Sequence, residues 1–560
     1  MRRLLVLVFA LLASCDPREV ELAPQLLPGR NHGDKELMAA FEDAPEGSIS
    51  SELTLVYPSK GTVVPSDLTR MRYQWTAPAD VDAFELSIAT GSTPVRYYTR
   101  ERDWLDDEEL LRFFAPSSAG GSLRLRVRAL SLAAPQTVYR SEVVEIRVAA
   151  TSFPGDVLYW SSTAGGIKRG SFAVDRARLE PGLSGADGCV GCHALSRDGT
   201  RLAVASEDDR LELFEGPDWK AKTWPEPMMP AAPMMPGTQK GPMAMAPMMP
   251  MMAMNPMPKR GPADYGWGSF SPDGSQLVFA AKGKLRVIGS ETGLDVPKFR
   301  LPPETSVSHP DWSPDGLAIA VSYAMGKAAK SNKLVRGSAI ARLRIQPDGM
   351  FGEPETVVPS NSPDDTLTFP AYSPDGRWLA FSHANGGSKD NPRAQIWIVA
   401  ADGSSLPVLL EAANRPADAD ATPDVANNMP TWAPISNGVG FLAFSSTRDY
   451  GNVLVGAQRD QLWVTAIDFA ALEMGRDPSF PAFWLPFQDP AESNHRALWT
   501  PMSSAAEQEC ESTLEICDDN NIDDDCDGAI NEGCNCDTVD ICNNGKDDDC
   551  DKNIDEDCKD

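Results

Sequence analysis

Between Leu53 and Val148 apolar residues come in short alternating runs, Leu53 to Tyr57, Met71 to Trp75, Ala83 to Ile88, Val95 to Tyr98, Leu123 to Ala129 and Val143 to Val148. A period of two over four to seven residues predicts strands with one buried face. Runs at this spacing within residues 51–150 predict a small antiparallel β-sandwich, in which we find no residues suited to chemistry. From 155 to 505 the alternation is punctuated by a repeat. Ser269-Phe270-Ser271-Pro272-Asp273-Gly274 precedes the apolar run Gln276 to Phe279, and the unit returns as Asp311 to Gly316 and Ala371 to Gly376. Ala194 to Gly199 is a further copy, and Thr431-Trp432-Ala433-Pro434 a degenerate one. Each copy predicts a hairpin, because Pro presets φ, Asp and Gly tolerate the tight positions and the flanking alternation supplies two strands.

Copies some 40 to 75 residues apart leave room for about four strands per unit, the arrangement of propeller blades. Trp499-Thr500-Pro501 reads as one more inner strand without its hairpin, and Val157 to Ser171 as early strands without an inner partner. The two ends are therefore expected to share a blade, giving six. The repeat resembles that of TolB-type β-propellers, and the sandwich resembles an immunoglobulin or fibronectin type III module. The expected fold class is all-β: sandwich, six-bladed propeller and a small disulfide-rich tail.

Composition changes at both ends. Arg2 and Arg3, the apolar stretch Leu4 to Leu12 and Leu12-Ala13-Ser14-Cys15 read as a lipoprotein signal over 1–14, with Cys15 lipidated and 15–50 a linker. The expected location is a bacterial cell envelope, anchored by lipid in the inner or outer membrane and facing the periplasm or the surface. The net charge is -29, but residues 507–560 hold 21 acidic and 3 basic side chains. The acidity belongs mainly to a tail that attracts cations, which argues against nucleic acid as a partner.

Eight of the eleven cysteines lie in that tail. Cys510, Cys517, Cys526 and Cys534 are followed by a second set, Cys536, Cys542, Cys550 and Cys558, with similar gaps, so the tail is a tandem duplication. Asp523, Asp525 and Asp527, followed by Gly528 and Ile530, reproduce the opening of a calcium loop, with Asn531 a further oxygen donor. Asp547, Asp549, Asp551 and Asp555 form the second set, although Lys552 replaces the Gly. Neither copy has a Glu at the twelfth position, so these are not EF-hands. They resemble the Cys- and Asp-rich repeats of MopE-type metal-binding surface proteins and, more distantly, thrombospondin type 3 repeats. That resemblance implies calcium in disulfide-closed loops.

Residues 222–262 interrupt the propeller pattern; within them 227–258 hold twelve Met and nine Pro, which predicts a disordered loop whose thioethers suit copper(I). Cys189-Val190-Gly191-Cys192-His193 matches the attachment signature of haem c, with thioethers at Cys189 and Cys192 and His193 as proximal ligand. His309 and His495 also precede inner strands and are the candidate distal ligands, placing haem over one end of the propeller. No hydrolase elbow, phosphate loop or dinucleotide fingerprint occurs. Two functions are consistent with the residues. One is a haem-bearing electron carrier or redox sensor with a redox partner protein. The other is a non-catalytic surface scaffold whose propeller binds a ligand, with a structural CxxC disulfide and a calcium-binding tail.

Overall fold

The computed structural model describes residues 35–501 apart from short internal segments, the longest being 225–263. Cys15, Cys189, the Met-rich insert and the acidic tail lie outside the described residues.

All six apolar runs of the N-terminal region are strands. Thr54–Tyr57, Arg72–Thr76 and Asp103–Leu105 form one sheet, and a seven-stranded sheet faces it, with Ser122–Leu130 paired to Ala83–Ala89 on one side and Val144–Val148 on the other. The interior is filled by alternate residues such as Leu55, Tyr73, Trp75, Leu86, Leu125 and Ile146. Strands of two or three residues, such as Ser48–Ile49 and Val63–Val64, are too short to show a period.

Residues 35–49 are not linker. Lys35–Glu42 is a helix whose Leu37 and Phe41 are buried against the sandwich. The helix is held there by Arg128, which donates to the carbonyls of Phe41 and Pro45 while forming a two-bond pair with buried Glu85, both bonds at 2.8 Å.

The remaining strands form six radial units. Blade 1 runs outward as Asn494–Thr500, Asp156–Ser161, Gly166–Ser171 and Arg178–Ser184. Its inner strand thus comes from the far end of the chain, antiparallel to Asp156–Ser161 with Val157 opposite Trp499, as the sequence predicts. Blades 2 to 6 begin with inner strands Gly191–Leu195, Gly268–Phe270, Ser306–Trp312, Asp365–Tyr372 and Asn427–Trp432. All have four strands except blade 3, which has three among the described residues plus a single bridge between Ile288 and Asp295. Each inner strand touches those of both neighbours, and the circle closes between blades 2 and 1.

The repeated hairpins explain themselves atom by atom. In each, the Ser two residues before the Asp donates to it, Ser196 to Asp198, Ser271 to Asp273, Ser313 to Asp315 and Ser373 to Asp375, all at 2.5 Å. The same Asp oxygen accepts a backbone N–H from the start of the next strand, as at Thr200 and Leu317. The Ser hydroxyl accepts another, as at Arg201 and Ala318. The Gly closes the turn at φ near +70°, which only Gly adopts without steric cost. At Gly199 a Cβ would also lie 2.1 Å from the Thr500 hydroxyl of blade 1.

The sandwich docks on blade 6. Gln74 accepts the N–H groups of Asn452 (2.6 Å) and Val453 (3.1 Å), the Tyr57 hydroxyl accepts that of Trp484 at 3.0 Å, and one apolar cluster runs through both domains.

Candidate functional site at the channel end of the propeller

Where the inner strands approach the channel their pairing slips in all but one blade. Five of the six carry a register shift, between Gly191 and Ala194, Ser308 and Asp311, Thr368 and Ala371, Asn428 and Thr431, and opposite Leu158 and Trp160 for the closing strand. At each slip one non-glycine residue is in the left-handed region: Cys192, His309, Phe369, Met429 and Arg496, with φ between 47 and 55°. All five stand four residues before a Ser, Ala or Thr at the end of the inner strand or one residue past it, and Trp267 occupies the same place in blade 3. Bulges re-aim side chains, and left-handed backbone in large residues costs about 1 kcal/mol or more each. Here the repeat imposes it on the residues that ring the channel.

Four of those six, Trp267, His309, Phe369 and Arg496, line a cavity of about 150 Å³ running along the channel. Phe369 lies 4.0 Å from the His309 ring centroid and 5.0 Å from that of Trp267. The Arg496 guanidinium stands 5.0 Å from the Trp267 centroid and donates to the His193 carbonyl at 3.2 Å. Asp311, one residue beyond Pro310 in blade 4, is half-buried in the same wall. It accepts from the Ser269 hydroxyl of blade 3 at 3.0 Å and the Tyr372 N–H of blade 5 at 2.7 Å, so it stitches three blades together. Arg197 lines the hairpin end and donates to the Trp312 carbonyl at 2.8 Å.

The three histidines are not equivalent. His309 faces the cavity; it is 3 % exposed, and neither ring nitrogen has a hydrogen-bond partner. His193 stands one residue later in its strand and His495 one residue earlier, and a shift of one residue along a strand turns a side chain to the other face. His193 is 1 % exposed, wedged between blades 2 and 1, donating from Nε2 to the Arg496 carbonyl at 2.9 Å. His495 is half-buried away from the cavity, 3.5 Å from the Asp460 carboxylate and against Trp160. His383 lies elsewhere, on the second strand of blade 5 beside Asp365.

Haem does not fit the residues as packed. Nε2 of His193 is committed to the backbone, Nδ1 is buried without a partner, and Cys192 is buried in an apolar cluster with Tyr265 and Phe270. The cavity is also small beside the several hundred Å³ of pockets that enclose cofactors. Among the described residues no three His, Cys, Asp or Glu side chains converge on a metal position. The proposed calcium ligands Asp523, Asp525, Asp527, Asn531, Asp547, Asp549, Asp551 and Asp555 lie outside the described residues.

Burial sets the protonation of the channel. Loss of hydration pushes His193 down to about 3 and, with Arg496 adding repulsion, holds His309 well below its ordinary value. Burial raises Asp311, with Arg197 the largest opposing influence, and lowers Arg496. A histidine neutral in the folded chain but protonated in the unfolded chain makes stability fall as pH drops below about 6.5. Asp67, raised to about 6 by burial, opposes this between about 6 and its unfolded value. His309→Gln removes one proton from the difference. It is expected to flatten the pH dependence between pH 6 and 4.5 by about 1.4 kcal/mol per pH unit, read from denaturant unfolding at each pH. An unchanged slope would mean His309 titrates normally in the folded chain.

Arg496, Trp267, Phe369, Asp311 and Arg197 were not among the sequence candidates. Counting back four residues from the end of each inner strand finds Trp267, Phe369 and Arg496 at once, but only the bulge gives that count its meaning.

No family model matches the chain, and no curated protein sequence does. Among solved structures it is similar to TolB from Acinetobacter baumannii, with 14% identity, 64% of this chain and 68% of that chain covered and a TM-score of 0.28. It is also similar to an oligogalacturonate lyase from Vibrio parahaemolyticus, with 14% identity, 56% and 70% covered and a TM-score of 0.30. Superposition this loose carries no functional argument; the six-bladed fold rests on the strand pairing itself.

Proposed function

We propose that this is a non-catalytic, lipid-anchored protein of the bacterial envelope whose propeller channel binds a small ligand. The observation that carries the reading is His309, buried, facing the channel cavity and leaving both ring nitrogens unpartnered. Buried polar groups in folded proteins are nearly always paired, and an unpaired one in a cavity wall marks a place where something else supplies the partner. The lipoprotein signal read over 1–14, ahead of Cys15, supports the envelope location, and no helix among the described residues is long and apolar enough to cross a membrane. The acidic tail, with its two sets of alternating Asp, acts in this reading as a calcium-stabilised stalk.

Two measurements test it. Protein produced alongside a cytochrome c maturation system is expected to be colourless, oxidised or dithionite-reduced, and to give no haem stain on a denaturing gel. A sharp reduced α band with retained stain would restore the electron-carrier reading and require the Cys192-His193 strand to repack. A thermal-shift screen of single-ring compounds is expected to yield ligands that protect the wild-type chain and lose their effect in Ala371→Phe, which fills the cavity. Protection that survives the filling would place binding elsewhere.

A further inference from the structure

The charges in the channel wall are not balanced. Two guanidiniums, Arg197 and Arg496, and one carboxylate, Asp311, line the cavity, in a chain whose net charge is -29. Asp311 is occupied by Ser269 and Tyr372, and no carboxylate lies within ion-pair distance of Arg496 among the described residues. Its guanidinium has one hydrogen bond, to the His193 carbonyl, and its face rests on Trp267, so most of its five donors are uncommitted. His309 stacks on the same indole, with ring centroids 5.5 Å apart, and contributes an unpartnered N–H. Arg496 is half-buried with no counter-charge among the described residues, and His309 beside it is buried with both ring nitrogens unpartnered, so an anion held by both would pair the cation and satisfy the buried donor.

We infer that the Arg496 end of the channel cavity binds the carboxylate of a small single-ring acid, with the Arg496 guanidinium and the His309 ring as its donors. Guanidinium matches carboxylate geometry with two parallel bonds, which a neutral amide or alcohol of the same shape does not reproduce. In the same wall Trp267, Phe369, Pro370 and Trp432 offer ring faces and edges to the body of the ligand. A cavity of about 150 Å³ is the size that accepts one benzene ring. His309 is neutral here, so it donates to the anion without adding a second positive charge.

This inference rests on the channel-binding reading, and the test separates the two. Calorimetric titration of the full mature chain with benzoate, benzamide and inorganic phosphate is expected to give binding for benzoate, at least about tenfold tighter than for benzamide, and none for phosphate. Arg496→Met is expected to abolish the preference for benzoate over benzamide. Should that variant not fold, the His309 pair decides: His309→Gln, which keeps a donor and an acceptor, is expected to bind benzoate more tightly than His309→Leu. Equal binding of benzoate and benzamide would overturn the carboxylate assignment while leaving a channel that binds small rings. Binding of phosphate alone would overturn it in favour of a bare anion site. No binding of any probe, with no hit in the screen, would overturn both readings.

Discussion

A chain ending at Ser493 is expected to lose the cooperative fold of the propeller, while one ending at residue 505 keeps it. Removing Asn494–Thr500 strips the inner strand from blade 1 and leaves Asp156–Ser161 as an open edge. It also removes Trp499, whose ring lies 4.7 Å from Phe153 and 6.5 Å from Phe172, and the buried Ala497. Losing a packed Trp costs about 3–5 kcal/mol, and each aromatic pair about 0.5–1.5 kcal/mol beyond its area. With seven residues of strand pairing added, the loss approaches the whole stability of about 5–15 kcal/mol of an ordinary domain. The closing strand further supplies the Ala497 carbonyl that accepts from Thr431 at 2.6 Å and the Arg496 N–H that donates to Ser445 at 3.0 Å, so blade 6 loses its neighbour too. Near-ultraviolet circular dichroism and limited proteolysis of the two chains give the answer; matching melts and fragments would show that the ring does not depend on this closure.

Arg448→Ala is expected to cost about 3–5 kcal/mol in denaturant unfolding. This arginine is 2 % exposed and has no carboxylate partner within ion-pair distance among the described residues. Its charge is met by oxygens, the carbonyls of Ala413 (2.8 Å) and Arg415 (3.1 Å), Asn427 Oδ1 (2.7 Å) and the Ser446 hydroxyl (2.9 Å), with Phe444 and Trp463 against the guanidinium. These groups come from the segment after blade 5 and from three strands of blade 6, so the side chain fastens neighbouring blades. Truncation leaves a cavity and orphans buried acceptors at about 1–3 kcal/mol each. Arg448→Met restores most of the volume and none of the donors, so it is expected to recover only the packing share. A Met variant as stable as the parent would show that the hydrogen bonds contribute nothing net.

The architecture was legible because it is written locally. Ser, Asp and Gly within each hairpin satisfy one another across two to five residues, so the motif that repeats in the chain is also the unit of hydrogen bonding. Trp499 and Val157 were recognisable as blade partners because each set of strands was incomplete alone. The helix at Lys35–Glu42 was missed since two buried positions, Leu37 and Phe41, are too few to establish a period in a Pro- and Glu-bearing stretch. The site was harder. Three histidines near inner strands looked alike in spacing, yet His193, His309 and His495 point three ways, because a bulge in the backbone changes which residue of a strand meets the channel.

The sequence by itself determined the all-β class, the strand runs of the sandwich, the hairpins of the propeller and the shared first blade. Those features depend on alternation and on contacts a few residues long, which one chain displays directly. Only the tertiary structure decided which side chains stand together: Trp267, His309, Phe369 and Arg496 come from four blades and span 230 positions of the chain. Their meeting follows from ring closure and from the same strand position being turned toward the channel in four blades, in three of them by a bulge. The unmet donors of His309 and Arg496 arise from that convergence, since a side chain's burial and partners belong to the packed whole and to no segment of it.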